Sequence, residues 1–261
     1  MVWNTRIKGR ETMKFTVDSK EFVKGLELIS LKGKYATTSG FKGSKLSDCV
    51  DIRVDERVTL INADSATVVS KVVDADIDSK GQAIIEIGSL IKYLKKMPTA
   101  TISVEDVVRI TSGTRRATIP IVVVHPDISI ISMLTESKHT FNWEEPVTFG
   151  RRGAEYSTAI QLSAETFSTA ISSCEVVGSG LYKLDIKNGV LEISSKHGAE
   201  EYSEHITPMN VMGEDATVEF SAPIHNLFKD GIINIYFNDD SPITIISADA
   251  QLVRAPRITG R

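Results

Sequence analysis

The feature that most constrains this chain is an internal duplication of its residue pattern. Residues 83–94, AIIEIGSLIKYL, can be laid over residues 216–227, ATVEFSAPIHNL, with Glu86 over Glu219. Both segments read as a strand that leads into a short helix. A pattern that recurs far along a chain is typical of a supersecondary unit used twice.

A second match lies near the start of each half. Residues 17–21, VDSKE, correspond to residues 161–165, QLSAE, and each precedes an apolar pattern with helical spacing. We therefore predict two similar domains, although a coincidence between two generic α+β domains remains the alternative. The predicted limits are an N-terminal extension at 1–12, a first domain at 13–121, an interdomain connector at 122–155 and a second domain at 156–261.

Four helices are predicted from apolar residues that recur every three or four positions. The first carries Phe22, Leu26 and Ile29 on one face, with Ser19 as its N-cap. The others are Ser89–Met97, a helix capped by Ser163 that carries Phe167, Ala170, Ile171 and Cys174, and Pro223–Asp230.

Short strands fill most of the remaining chain. Asn188-Gly189 between two of them is a strong signal for a two-residue hairpin. The predicted class is thus α+β, with two helices packed on antiparallel sheets in each domain. The predicted strands are 14–18, 49–54, 57–62, 67–77, 82–87, 100–104, 107–111, 115–121, 157–162, 181–187, 190–194, 200–207, 216–220, 232–237, 243–247 and 251–254.

Positive charge is concentrated on the helices of an acidic protein. The chain has a net charge of −4, so a nucleic-acid binder of this composition must gather its lysines on one surface. The predicted solvent faces are basic in three helices, and the third exposes neutral serine and threonine. The alternative is that lysine is simply a common helix former on surfaces. The lysines concerned are Lys20, Lys24, Lys92, Lys95, Lys96 and Lys229.

The residue types on these helices indicate a particular kind of contact. Within the first three helices, the acidic residues are Glu21, Glu27 and Glu165. Flexible lysines, rather than arginine or asparagine that read base edges, favour contact with phosphate without sequence preference. Such contact is sensitive to salt and permits sliding along a duplex.

No catalytic motif with specific spacing is present in the sequence. The five histidines are scattered, and neither phosphate-binding loops nor a zinc-protease motif occurs. Asp74, Asp76 and Asp78 alternate on one strand face and could hold a metal, but a charged outer face of the sheet explains them better. We expect no enzyme, metal or cofactor, with an unrecognised α+β hydrolase as the alternative from another class.

The cysteines and the apolar segments give information about the cellular compartment of the protein. Cys49 and Cys174 lie far apart without metal-ligand neighbours, which indicates reduced thiols, and Cys174 lies in a buried register. No apolar run approaches the roughly 20 residues that span a bilayer. The first twelve residues lack the apolar stretch of a secretory signal. These features predict an intracellular protein without a membrane partner.

Two further segments carry a family resemblance. Residues 252–258, LVRAPRI, look like the last strand and tail of PCNA-type sliding clamps of archaea, eukaryotes and some viruses. Residues 155–167, EYSTAIQLSAETF, are similar to the segment by which that family leaves its interdomain connector and enters its third helix. The connector of this chain is longer than is usual in the family.

The resemblance implies a DNA-clamp fold and a DNA polymerase processivity factor. Three identical subunits would form a ring whose helices line the hole, so that the six lysines face double-stranded DNA. Expected partners are a DNA polymerase, a clamp loader and other proteins with short peptide motifs. The protein would act in the cytoplasm, at the nucleoid, in a prokaryotic or viral setting, or in the nucleus of a eukaryote. A clamp-like factor that does not close a ring is the alternative.

The resemblance also implies how subunits would join. By family position, the pairing edges are Arg115–Ile119 and Glu200–Ile206. Their charges are opposite, which favours pairing between unlike edges. The alternative is that both are solvated strands whose charges prevent aggregation. The predicted interface residues are Arg115, Arg116, Glu200, Glu201 and Glu204.

Partners of such clamps insert a peptide into an apolar pocket beneath the connector. Ala255 and Pro256 match the tail side of that pocket. Candidates on the connector side are Ile128, Val147 and Phe149, although the segment that begins at Ile128 could equally be a core strand.

Overall fold

The computed structural model describes residues 13–31, 45–64, 66–122, 148–149, 154–221 and 225–257. The N-terminal extension and most of the predicted connector therefore lie outside the described residues. The chain divides into two compact units. Unit 1 contains the described residues of 1–30, 45–62 and 71–124, and unit 2 contains those of 31–44, 63–70 and 125–261. The domain limits drawn from the sequence remain a prediction.

The first half of the chain has two α-helices among its strands. The helices are α1 (Ser19–Ile29) and α2 (Ile87–Leu94). The strands are β1 (Met13–Asp18), β2 (Cys49–Val54), β3 (Val58–Ala63), β4 (Thr67–Val73), β5 (Asp76–Ser79), β6 (Gly81–Glu86), β7 (Thr99–Val104), β8 (Val107–Ser112) and β9 (Arg115–Pro120).

The second half has one α-helix in its described residues, α3 (Ala164–Cys174). The strands are β10 (Thr148–Phe149), β11 (Ala154–Glu155), β12 (Thr158–Ser163), β13 (Leu181–Lys187), β14 (Val190–His197), β15 (Glu200–Ile206), β16 (Asn210–Gly213), β17 (Ala216–Ser221), β18 (Ile232–Phe237), β19 (Ile243–Ile246) and β20 (Ala250–Arg254).

Unit 1 is built from helices on antiparallel sheets. One sheet has the order β5-β1-β7-β8-β9, and β6, β2 and β3 are neighbours in another. Alternate residues of β1 are buried, and Phe15 meets Phe22 of α1 with ring centroids 5.9 Å apart. At Gly25 a Cβ atom would lie 2.9 Å from Cγ1 of Val73, so glycine lets α1 approach the strands closely.

Unit 2 repeats this architecture. One of its sheets contains β16-β12-β18-β19-β20 followed by the first half of β4, and the other has the order β15-β14-β13-β17. Helix α3 buries Phe167, Ile171 and Cys174 against these strands. Tyr182 and Phe220 stack with ring centroids 5.7 Å apart. The recurring strand-helix order confirms the α+β class and agrees with the duplication in the sequence.

Local signals in the sequence were confirmed at some positions and wrong at others. Ser163 caps α3, and Asn188 and Gly189 form the predicted hairpin turn with φ of 50° and 78°. The N-cap of α1 is Asp18 instead of Ser19, because the Asp18 carboxylate accepts hydrogen bonds from the first amides of the helix. The strand predicted at 67–77 is interrupted between β4 and β5.

The fourth predicted helix is the main error. Of residues 223–230, the described part forms only a 3-10 turn at His225–Leu227. Leu227 and Phe228 are buried, as predicted. Gly231, with φ of 78°, then redirects the chain into β18.

Gly213 provides a test of how tightly β16 is joined to β12. Its φ is 91°, and a Cβ atom there would lie 1.7 Å from the carbonyl oxygen of Ser157. We expect Gly213→Ala to lower the free energy of unfolding by about 3 kcal/mol or more, because backbone strain and a backbone clash combine. The measurement is the urea midpoint at constant m value.

The matched control is Gly198→Ala. Gly198 also has a positive φ, 62°, but no heavy atom lies within 4 Å of its would-be Cβ. Only the left-handed backbone conformation is then penalised, which costs about 1 kcal/mol. Equal losses in the two variants would contradict the close approach at Gly213.

Candidate functional site

Five of the six predicted lysines come together on the helices of unit 1. Helices α1 and α2 are in contact, and each buries its apolar side. The opposite sides are exposed, because residues three or four positions apart share a helix face. We call this surface the basic face; its lysines are Lys20, Lys24, Lys92, Lys95 and Lys96.

Backbone hydrogen bonds fix the corner where α2 ends and α1 begins. The Ser19 amide donates to the Pro98 carbonyl at 3.0 Å, and the Met97 amide donates to the Leu94 carbonyl at 2.9 Å. Lys20, the second residue of α1, therefore lies near the turn that carries Lys95 and Lys96. This corner is set by the fold and not by side-chain contacts alone.

Two carboxylates lie within the basic face. Glu21 accepts from Lys24 at 3.2 Å, and Glu27 accepts from Lys95 at 2.8 Å, which joins α1 to α2. All four side chains are more than half exposed, so these pairs add little to stability. They do reduce the positive potential of the face.

The remaining lysines of the face are less constrained. Lys92 lies over the ring of Tyr93, 5.3 Å from its centroid, as a cation–π contact. Within the described part of the chain, neither Lys20 nor Lys96 forms an ion pair. Both side chains are therefore available to an anionic ligand.

The sixth predicted lysine has a different setting. Lys229 is exposed in unit 2, but it follows the 3-10 turn instead of lying on an α-helix. That turn packs against α3, whose exposed residues are mainly Ser and Thr. Unit 2 therefore presents one lysine beside a neutral helix surface.

The predicted interface strands are both sheet edges. Among the described residues, β9 ends the sheet β5-β1-β7-β8-β9, and β15 ends the sheet β15-β14-β13-β17. Arg115 and Arg116 are exposed on β9, while Glu200 and Glu201 are exposed and Glu204 is half-buried on β15. Glu201 lies 3.4 Å from Lys196 of its own sheet. Each edge leaves one side of its backbone without a strand partner.

The predicted peptide pocket is described only on its tail side. Ala255 and Pro256 are half-buried, and the Ala255 amide donates to the Ala66 carbonyl at 2.8 Å. Next to them, Arg254 is buried and donates to Ser221 Oγ at 2.7 Å. Burial lowers the pKa of Arg254. Ile128, Val147 and the side chain of Phe149 lie outside the described residues.

Burial raises the pKa values of several described side chains. Burial raises the pKa of the Cys174 thiol to about 11, which disfavours the nucleophilic thiolate. Burial also raises the pKa of Tyr156 to about 12. No group of acidic, histidine or cysteine side chains in the described ranges could hold a metal ion. No helix in those ranges is both long and apolar enough to span a bilayer.

Two contacts were not predicted from the sequence. Glu27 pairs with Lys95, and Arg115 Nη1 donates to the Lys96 carbonyl. Both link segments that are distant along the chain, so neither follows a helical or strand period. Only the packing of α1, α2 and β9 brings these groups together.

Comparison of the sequence with known proteins finds no match, whereas comparison of the structure finds several similar proteins. No family model matches the sequence, and no curated protein matches it significantly. In structure, the chain is similar to the PCNA of A. fulgidus bound to the C-terminal region of FEN-1, at 13% identity and a TM-score of 0.66, over 95% of this chain and 100% of that one.

Two further structures agree. The chain is similar to the DNA polymerase sliding clamp of Pseudomonas aeruginosa, at 16% identity and a TM-score of 0.68, over 97% of this chain and 68% of that one. It is also similar to the PCNA2–PCNA3 complex of Sulfolobus tokodaii, at 14% identity and a TM-score of 0.64, over 94% of this chain and 99% of that one. The chain thus has the DNA sliding-clamp fold, and it spans about two thirds of the bacterial chains that it matches.

The two carboxylates of the basic face should limit its affinity for polyanions. We expect Glu27→Gln to elute from a heparin column at higher salt than the parent, because Lys95 loses its counter-ion. The free energy of unfolding should change by less than about 1 kcal/mol.

The control is Glu105→Gln, which makes the same charge change at an exposed pair. Glu105 accepts from Arg109 at 2.6 Å. Arg109 is exposed on β8, on the strand face opposite the buried Val108 and Ile110. A smaller shift in elution than for Glu27→Gln is expected. Equal shifts would mean that net charge alone decides binding.

Proposed function

We propose that this chain is a DNA sliding clamp that encircles duplex DNA and tethers a polymerase. The observation that carries the proposal is the basic face on a chain whose net charge is −4 and whose fold is that of sliding clamps. In that fold, helices rich in lysine would attract the phosphate backbone of DNA weakly and without sequence preference. The protein itself is proposed to carry out no reaction.

The charge distribution suits a surface that attracts DNA but still allows the protein to slide along the duplex. The basic face carries five lysines and two glutamates, and its side chains are long and exposed. Phosphate contacts of this kind do not depend on base sequence, so the energy changes little as the duplex moves. A ring adds topological retention, which weak contacts alone cannot supply.

The duplication supports closure into a ring. By chain order, β20 ends the second repeat as β9 ends the first, and β15 corresponds to β4. Within unit 2, β20 lies beside the first half of β4, and the Ala255 amide donates to Ala66 next to that strand. The corresponding edges, β9 and β15, are open among the described residues. A second copy that adds β9 to β15 would repeat the internal pairing.

The proposal of three subunits rests on the resemblance to PCNA-type clamps. The chain matches the archaeal PCNA chains along 99% and 100% of their lengths, whereas it matches 66% and 68% of two bacterial chains. We propose a homotrimer, as that resemblance implies. A clamp-like factor that does not close a ring is the alternative, and the mass in solution separates the two.

The proposed partners are double-stranded DNA, a DNA polymerase, a clamp loader and proteins with short peptide motifs. Peptide binding is proposed beside Ala255 and Pro256, at the tail. The PCNA of A. fulgidus, with the same fold, binds the C-terminal region of FEN-1. The proposed location is wherever the replicated DNA lies, in the nucleoid or the nucleus.

Reversal of charge on α2 should abolish retention on DNA. We expect Lys92→Glu with Lys95→Glu and Lys96→Glu to shorten the half-life on nicked circular DNA at moderate salt by roughly tenfold or more. The oligomer mass should not change, because these lysines lie on α2 and in the turn that follows it, and not on β9 or β15. Retention is measured by gel filtration of protein with circular and linearised DNA.

The control reverses three other exposed cations of unit 1, by Lys14→Glu, Lys80→Glu and Arg109→Glu. It makes the same change in net charge away from the basic face, so retention should stay near that of the parent. Retention of the α2 variant at the parental level would remove the proposed inner face. A parent that stays on linear DNA as long as on circular DNA would contradict encirclement.

Light scattering during size exclusion tests the proposed ring. We expect about three times the chain mass of 28.6 kDa for the parent. Arg116→Glu should give smaller species at low protein concentration, because Arg116 is exposed on the open edge of β9 opposite an acidic edge.

The matched control is Arg109→Glu on β8, the strand next to β9. It should keep the parental mass, since β8 already has a strand on each side. A parental mass for Arg116→Glu would remove β9 as the interface, and a monomeric parent would favour the factor that does not form a ring.

A further inference from the structure

Arg115 and Arg116 are adjacent in sequence but lie on opposite faces of β9. Arg115 pairs with Ser112, which is two residues beyond the buried Ile110 and thus on its face. Across the register, Ile102 of β7 and Phe15 of β1 share that face, and the Phe15 ring meets Phe22 of α1. Arg116 lies on the other face, with exposed Thr118. Only Arg115 is therefore on the side of the helices.

Arg115 uses this position to contact the end of α2. Its Nη1 donates to the carbonyl of Lys96, in the turn that follows the helix. The last carbonyls of a helix lack intrahelical partners and carry the negative end of its dipole, so a cation is favoured there. The guanidinium group thereby joins the corner that carries Lys95 and Lys96.

The other side of this turn is fixed by the backbone. The Pro98 carbonyl accepts from the Ser19 amide at 3.0 Å, and the Lys95 amide donates to Ile91 at 3.1 Å. Arg115 is the side chain that holds the intervening carbonyl of Lys96. One exposed residue thus links the edge strand β9 to the lysine turn.

We infer that Arg115 is a positioning and phosphate-contact residue of the basic face, and that the interface charge on β9 is supplied by Arg116. The inference rests on the proposed function. Arg115 orients the Lys95–Lys96 turn through the Lys96 carbonyl and adds a cation to it. The guanidinium group has further donors left for a phosphate oxygen of the duplex backbone.

The competing role for Arg115 is an ion pair across the subunit interface. Glu204 of β15 pairs with buried Ile193, so it lies on the helix side of its own sheet and could meet Arg115 of a second copy. That pair would draw the guanidinium group away from Lys96. The two roles predict opposite effects on oligomer mass and on DNA binding, so they can be separated.

The experiment compares Arg115→Gln, Arg115→Lys and Arg116→Gln in the full chain. The probe is a short fluorescent duplex, and its affinity is measured by anisotropy over a range of KCl concentrations. Glutamine at position 115 keeps an N–H donor for the Lys96 carbonyl but removes the charge. We expect the slope of log affinity against log salt to fall by about 1, with no change in mass, and lysine to restore the slope.

Arg116→Gln is the matched control, with the same substitution one residue away. It should keep the parental salt slope and lower the mass at low concentration. A parental slope in Arg115→Gln, or a fall in mass equal to that of Arg116→Gln, overturns the inference alone. A parent without salt-dependent duplex binding removes both the proposed function and this inference.

Discussion

Burial of one apolar stripe on each helix is the constraint on which the rest of the structure depends. Phe22, Leu26 and Ile29 of α1 pack inward, and Leu90 and Leu94 of α2 do the same. Because a helix has about 3.6 residues per turn, the lysines between these positions must face outward. The basic face is therefore a consequence of core packing. A protein with net negative charge can present a local positive surface in this way without a dedicated domain.

The same architecture determines where the sheets remain open. β20, the last strand of the second repeat, lies beside the first half of β4 within unit 2. Among the described residues, β9 and β15 have no strand partner on one side, and proteins seldom leave a strand edge uncovered over six or seven residues without a reason. Opposite charges on the two strands discourage pairing of either strand with its own copy. The arrangement favours one kind of contact, head to tail, and disfavours disordered aggregation.

Much of this was predictable because it depends on periodicity. The alternation in β1, the helical spacing in α1 and the Asn188-Gly189 turn are local, so a single sequence reveals them. The prediction of the fourth helix was wrong, and the cause of that error is also local. Leu227 and Phe228 are buried, as the helical pattern predicts, but the described residues form a 3-10 turn, and Gly231 with φ of 78° then redirects the chain. Contacts across elements, such as Glu27 with Lys95, have no periodic signature and required the fold.

The paired carboxylates show that the basic face is moderated and not maximised. Glu21 and Glu27 each neutralise a lysine that already faces solvent, and neither pair contributes much to stability. A ring that is held by topology gains nothing from tight phosphate binding, since every strong contact has to break before the protein can move along the duplex. Moderate, screened attraction centres the DNA and lowers the barrier between successive positions. In the proposed clamp, two acids among five lysines would provide that compromise.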